Sequence, residues 1–254
     1  MEIEFIPKKK NYEFILEAYP PVKSIQDLPQ WFKDIPMGTV ENNDLTARKC
    51  PAIKDLISTG FIIPLWSRLR LQSRYDENGQ YSGQEWDFAV ANATNEDISH
   101  HMGTHTYEQH QGMRIGRTAN KLILKIQLPY YIKVPQGYNI MYTDPFYHFR
   151  QDIRCMSGIV EADKWGYITF PFELINQDFV MEPGVPLVHC FVYKRDDNDL
   201  ILNHRNGTDK EYKDIDKKWR TNFLNSDDYR TSINIFEEEW IYLIIKNQQL
   251  VILY

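Results

Sequence analysis

Between residues 121 and 195, short runs of alternating apolar residues are separated by turn signals, and this rhythm limits the chain most in what it can fold into. Leu122, Leu124 and Ile126 alternate with Lys121, Ile123 and Lys125, so an extended backbone would put the first three on one face. Residues 132–142 carry Pro135-Gln136-Gly137 as a turn between two strands. Residues 166–172 and 187–193 read as two further strands. The first would bury Ile168, Phe170 and Phe172 on one face, with Phe179, Leu187 and Phe191 as opposing core. Pro171 then belongs on an edge or a bulge, because proline brings no N–H to a ladder. Short strands with turns between them predict an all-β sandwich or barrel.

Upstream, Leu69 and Leu71 alternate with Arg68, Arg70 and Gln72, which predicts a strand with one wet face. Asn78-Gly79 is a hairpin signal, with residues 84–90 returning. Helical signals are confined to the flanks. Pro29 opens a short helix that turns Trp31 and Phe32 inward. Pro51 opens another that Gly60 ends, with Ile53, Leu56 and Ile57 on one side. Near the other end, Tyr212, Ile215, Trp219 and Phe223 stand at helical spacing. The expected organisation is an N-terminal extension with short helices (residues 1–60), a β-rich core (61–200) and a helical or hairpin appendage (201–254). Residues 91–120 are polar and without periodicity, which predicts a long loop.

The net charge of −6 gives no basic face for duplex nucleic acid, although a local groove could still take a nucleotide or a single strand. The 16 Tyr, 13 Phe and 6 Trp suit strands and aromatic-lined pockets rather than disorder. Cys50, Cys155 and Cys190 are widely spaced and odd in number, which predicts free thiols in a reducing compartment and no zinc knuckle. Met1 leads into Glu2 and Glu4, so no secretory signal is expected. No apolar run has the length of a membrane span.

Three segments, in order, resemble motifs of the trimeric dUTPases, a family with the β-clip fold. Val134-Pro135-Gln136-Gly137-Tyr138 is similar to the turn before their phosphate-binding motif. Gly158-Ile159-Val160-Glu161-Ala162-Asp163-Lys164-Trp165-Gly166-Tyr167-Ile168 resembles their third motif, Gly-Val-Ile-Asp-x-Asp-Tyr-Arg-Gly-x-Ile. Met181-Glu182-Pro183-Gly184-Val185-Pro186-Leu187-Val188-His189 resembles a later motif turning on glycine. With Pro29-x-Trp31-Phe32-Lys33, Cys50-Pro51 and Lys194-Arg195, a longer pattern resembles an uncharacterised family found in marine T4-like phages and some bacteria.

The resemblance implies a mainly β chain with a dUTPase-like β-clip barrel or sandwich core, trimeric association or assembly with other phage proteins, and a place in the infected cell's cytoplasm or the virion. It makes Glu161 the counterpart of the water-activating carboxylate and Asp163 the second carboxylate. Tyr138, Lys164 and Trp165 would flank a ligand. The phosphate motif has no counterpart: residues 142–146 stand there, and Asp144 would repel a phosphate. The expected function is therefore non-enzymatic, by assembly or small-molecule binding. The alternatives are a diverged nucleotide hydrolase and a histidine-dependent metalloenzyme. For the last, His100, His101, His105 and His110 cluster in the polar loop, His189 could face the same cavity, and a divalent metal is the one cofactor these residues admit.

Overall fold

The structure, a computed structural model, describes residues 1–35, 46–88, 101–113, 122–195 and 201–225. Among them the chain is mainly β, in fourteen strands. These are β1 (Glu4–Pro7), β2 (Val22–Lys23), β3 (Phe61–Pro64), β4 (Leu69–Tyr75), β5 (Tyr81–Phe88), β6 (Met102–Thr104) and β7 (Ile123–Gln127). Then follow β8 (Tyr130–Lys133), β9 (Tyr138–Thr143), β10 (Ile153–Cys155), β11 (Gly158–Val160), β12 (Thr169–Leu174), β13 (Phe179–Met181) and β14 (Pro186–Lys194). They form four sheets, ordered β1-β8, β10-β12-β7-β6, β11-β9-β14-β3-β2 and β13-β4-β5. All pairings are antiparallel.

Alternation decides which faces are inside. On β12, Phe170, Phe172 and Leu174 are buried while Thr169, Pro171 and Glu173 take the other face. Leu124 and Ile126 of β7 and Leu69 and Leu71 of β4 join the same core. Each such side chain removed from water contributes about 1.5–3 kcal/mol. Leu187 and Phe179 are buried as expected, whereas Phe191 is only half-buried.

Pro171 differs from expectation. Its strand is central, between β10 and β7, not at an edge. The ladder to β10 covers only Phe172 to Leu174. The Pro171 carbonyl points to that side, accepting the N–H of Met156 at 2.9 Å. The missing donor therefore faces the β10 side just past the last ladder pair, where proline costs no strand hydrogen bond. The hairpin after Asn78-Gly79 returns at Tyr81, three residues before the expected start. The polar loop contains strand β6, which pairs with β7. Residues 91–100 and 114–120 of that loop lie outside the described residues.

The packing divides the chain differently from a cut at residue 60. One unit holds residues 1–29 and 57–196, the other 30–56 and 197–254. The reason is strand pairing: β1 lies on β8 and β2 on β3, so the N-terminal segment is part of the β unit. In the second unit lie α2 (Gln30–Asp34), where Phe32 is buried, and α4 (Asp209–Asn225). Helix α4 opens on a reciprocal cap, with Thr208 N–H donating to Glu211 at 2.7 Å and Glu211 N–H to Thr208 Oγ1 at 3.3 Å. Helices α1 (Glu13–Ala18) and α3 (Pro51–Ser58) are the other two α-helices among the described residues.

Gly60 ends α3 at φ +82°, and a Cβ there would stand 2.1 Å from the Cys190 carbonyl oxygen of β14. Gly79 has a similar φ of +75° with open space around it. Alanine at Gly79 should cost about 1 kcal/mol, the left-handed penalty alone, whereas alanine at Gly60 should cost at least about 3 kcal/mol because backbone must move. Urea denaturation midpoints of the two variants test this, and equal losses would show that conformation rather than contact constrains Gly60.

Candidate functional site

The third-motif residues form a tight turn after β11. The N–H groups of Lys164 and Trp165 both donate to the Glu161 carbonyl, each at 2.9 Å. This turn faces the Gly137 turn that joins β8 to β9. Asp163 Oδ2 accepts the Gly137 N–H at 2.8 Å. Arg195, one residue past β14, donates to both Asp163 oxygens, at 3.1 and 2.9 Å. Its backbone N–H donates to the Gly137 carbonyl at 2.7 Å, and its Nη1 to Asn139 Oδ1 at 3.1 Å. Glu161 Oε2 lies 3.3 Å from the same Nη1 and 2.5 Å from Lys164 Nζ. Gly137 has φ +81°, so glycine is what lets its N–H turn toward Asp163.

The electrostatics follow from these contacts. The Arg195 guanidinium, then the Gly137 N–H, hold the Asp163 carboxyl below the usual aspartate range. The Lys164 ammonium, then its charge together with Arg195, hold Glu161 below the usual glutamate range. Both groups are thus kept as anions with cationic partners, whereas a general base works best with a pKa near the operating pH. The Asp163 side chain is only 7% exposed and that of Glu161 43%. Trp165 is 70% exposed and Tyr138 half-buried opposite Lys194. The structure thus gathers Glu161 and Asp163 around Arg195, with Lys164 paired to Glu161 and Tyr138 directly after the Gly137 turn. In the sequence, Arg195 and Asn139 carry no signal of this role, since Arg195 stands 32 residues from Asp163 at the end of a basic pair.

Two of the histidines, His101 and His105, border one cleft, and His189 lies apart from it. His100 lies outside the described residues. His101 is buried, and its Nδ1 donates to the Gln127 carbonyl at 3.0 Å. Its Nε2 stands 3.0 Å from the Tyr12 hydroxyl, whose ring packs edge-on to the imidazole. His105 is half-buried, and that burial is the main reason its pKa is lowered. His189 is buried elsewhere, with Nε2 2.7 Å from the Thr59 carbonyl and 2.8 Å from Ser24 Oγ, its ring stacked on Phe191. It does not line the cleft described below. Among the described residues no three His, Cys, Asp or Glu side chains converge to hold a metal ion.

Asp144 is engaged as well. It pairs with the buried Arg150 and accepts the Cys155 N–H at 2.8 Å. Cys155 and Cys190 are in no disulfide, and burial pushes their thiols up, which makes them poor nucleophiles.

Two open clefts lie in the β unit. One, of about 470 Å³, is lined by His101, His105, Gln109, Lys125, Gln127 and Tyr142, with Met102, Gly103, Thr169 and Pro171. The other, of about 510 Å³, is largely apolar, with Ile3, Phe5, Val22, Phe61, Phe191 and Val192 among its walls.

No protein-family model and no curated protein matches the chain. Among solved structures it is similar to a native dUTPase of EIAV, at 12% identity and a TM-score of 0.29, over 55% of this chain and 99% of that one. The likeness is weak and gives no residue a role here; the mainly β architecture stands on the strands themselves.

Carboxylates whose pKa is depressed on folding stabilise above their unfolded value, near 4, and lose that contribution as pH falls through the folded value. The wild-type urea midpoint should therefore drop as the solution is acidified below about pH 4. Asp163→Asn should start lower at pH 6 and drop less. Parallel curves for the two proteins would remove Asp163 from the acid response.

Proposed function

We propose that this chain is a non-enzymatic small-molecule-binding module with a β-clip-like core. The observation that carries the reading is a division of labour. Glu161 and Asp163, the two carboxylates that chemistry would need, are held by Arg195 and Lys164. The polar cleft on β6, β7 and β12 is open and stands on paired strands. Its volume falls in the range of about 300–1,000 Å³ usual for small-molecule sites. Sites on strands hold their geometry better than sites on loops.

The sequence resemblance to a phage family supports a viral origin, with function in the infected cell or the virion. The resemblance to trimeric dUTPases supports a homo-oligomer. Neither is needed for the cleft to bind.

Purified full-length chain should show no turnover of dUTP with or without magnesium. A thermal-shift screen of small metabolites should find a stabiliser that Glu161→Gln still binds. At a hundredfold excess over its Kd such a ligand adds about 2.7 kcal/mol of stability. Turnover abolished by Glu161→Gln would replace this reading with the diverged hydrolase.

A further inference from the structure

We infer that the β6–β7–β12 cleft takes an organic anion, a carboxylate or phosphate group carried on an apolar body; the inference rests on the binding reading above. The lining supplies positive charge from Lys125 and hydrogen-bond donors from His105, Gln127, Gln109 and Thr169, and among the described residues it includes no Asp or Glu. Lys125 enters no ion pair among the described residues. Glu173, the next side chain along that face of β12, lies 3.9 Å from Arg154 and does not line the cleft.

The register explains how the ammonium is delivered. Lys125 stands directly opposite Gly103 on β6 and Pro171 on β12. Neither neighbour has a long side chain, so the lysine stem has a channel to lie in. A Cβ at Gly103 would already stand 3.7 Å from Lys125 Cε. Two pairs along, on the same face, Gln127 stands opposite Thr169, putting an amide and a hydroxyl beside the charge. The backbone holds the other donors in place: the His105 backbone N–H donates to the Ile123 carbonyl at 3.0 Å, and the Gln109 side chain accepts the Thr106 N–H at 2.9 Å. The floor is held by His101, tied to Gln127 and Tyr12. Donors fixed in this way lose little freedom on binding. Met102, Pro171 and Tyr142 add the apolar surface that an inorganic ion would leave unused.

The test uses three probes of similar bulk: benzoate, phenyl phosphate and benzyl alcohol, titrated into the full chain and followed by amide chemical shifts. Both anions should bind and perturb the amides of residues 103–105 and 125–127. The neutral alcohol should bind at least tenfold more weakly. Lys125→Ala should weaken both anions about tenfold, Lys125→Arg should retain them, and added salt should weaken binding. Unliganded melting temperatures of the two variants check that each is folded. The ratio of phenyl phosphate to benzoate affinity tells which oxyanion the cleft prefers. Equal binding of all three probes, unaffected by Lys125→Ala, would overturn the anion inference while leaving the cleft as a binding site. Anion binding that perturbs other residues would overturn it too. Failure of every probe and of the metabolite screen would overturn both readings.

Discussion

The grip of Arg195 on Asp163 and the Gly137 turn is the contact on which the arrangement of the β unit turns. Three segments distant in sequence meet there: the end of β14, the turn after β11 and the turn before β9. β9 and β14 are neighbours in the five-stranded sheet, and β11 pairs with β9. The ion pair thus closes one end of the sheet, where ladder bonds stop. A two-point guanidinium–carboxylate contact fixes orientation as well as distance, which a single hydrogen bond does not. A half-buried, multiply bonded pair of this kind resists separation because removing either partner strands the other's charge.

How much was legible in the sequence depends on the range of the interaction. Alternation and turn signals are local, so Leu69 and Leu71, Phe170 and Phe172, and the Gly137 corner could be read directly, and the mainly β class with them. So could helix α3, bracketed by Pro51 and Gly60. What could not be read is anything decided by pairing. β1 and β2 are short and carry little pattern of their own; only their partners β8 and β3 make them strands. Pro171 argues for an edge as long as its strand is considered alone, and the early end of β10 is what makes a central place tolerable.

The same limit governs the candidate site. Glu161, Asp163 and Lys164 are close in sequence, and their proximity in space follows from the turn. Arg195 and Asn139 come from other strands and complete the group without any local signal. Of the histidines, His101 and His105 border one cleft, His101 also being tied to Tyr12 and Gln127, whereas His189 lies elsewhere. The lysine that gives the cleft its charge sits in an ordinary alternating strand, and only the bare neighbours Gly103 and Pro171 distinguish it.

Pro171 also bears on how the sheet avoids mistakes. Antiparallel strands can slide by two residues and keep every side chain on its proper face, so alternation alone does not forbid that error. If β10 slid along β12 far enough to lay its ladder over position 171, one rung would have no donor. The proline thus acts as a stop that penalises the shifted alignment and leaves the native one untouched, and its benefit lies in the wrong structures that it makes less stable.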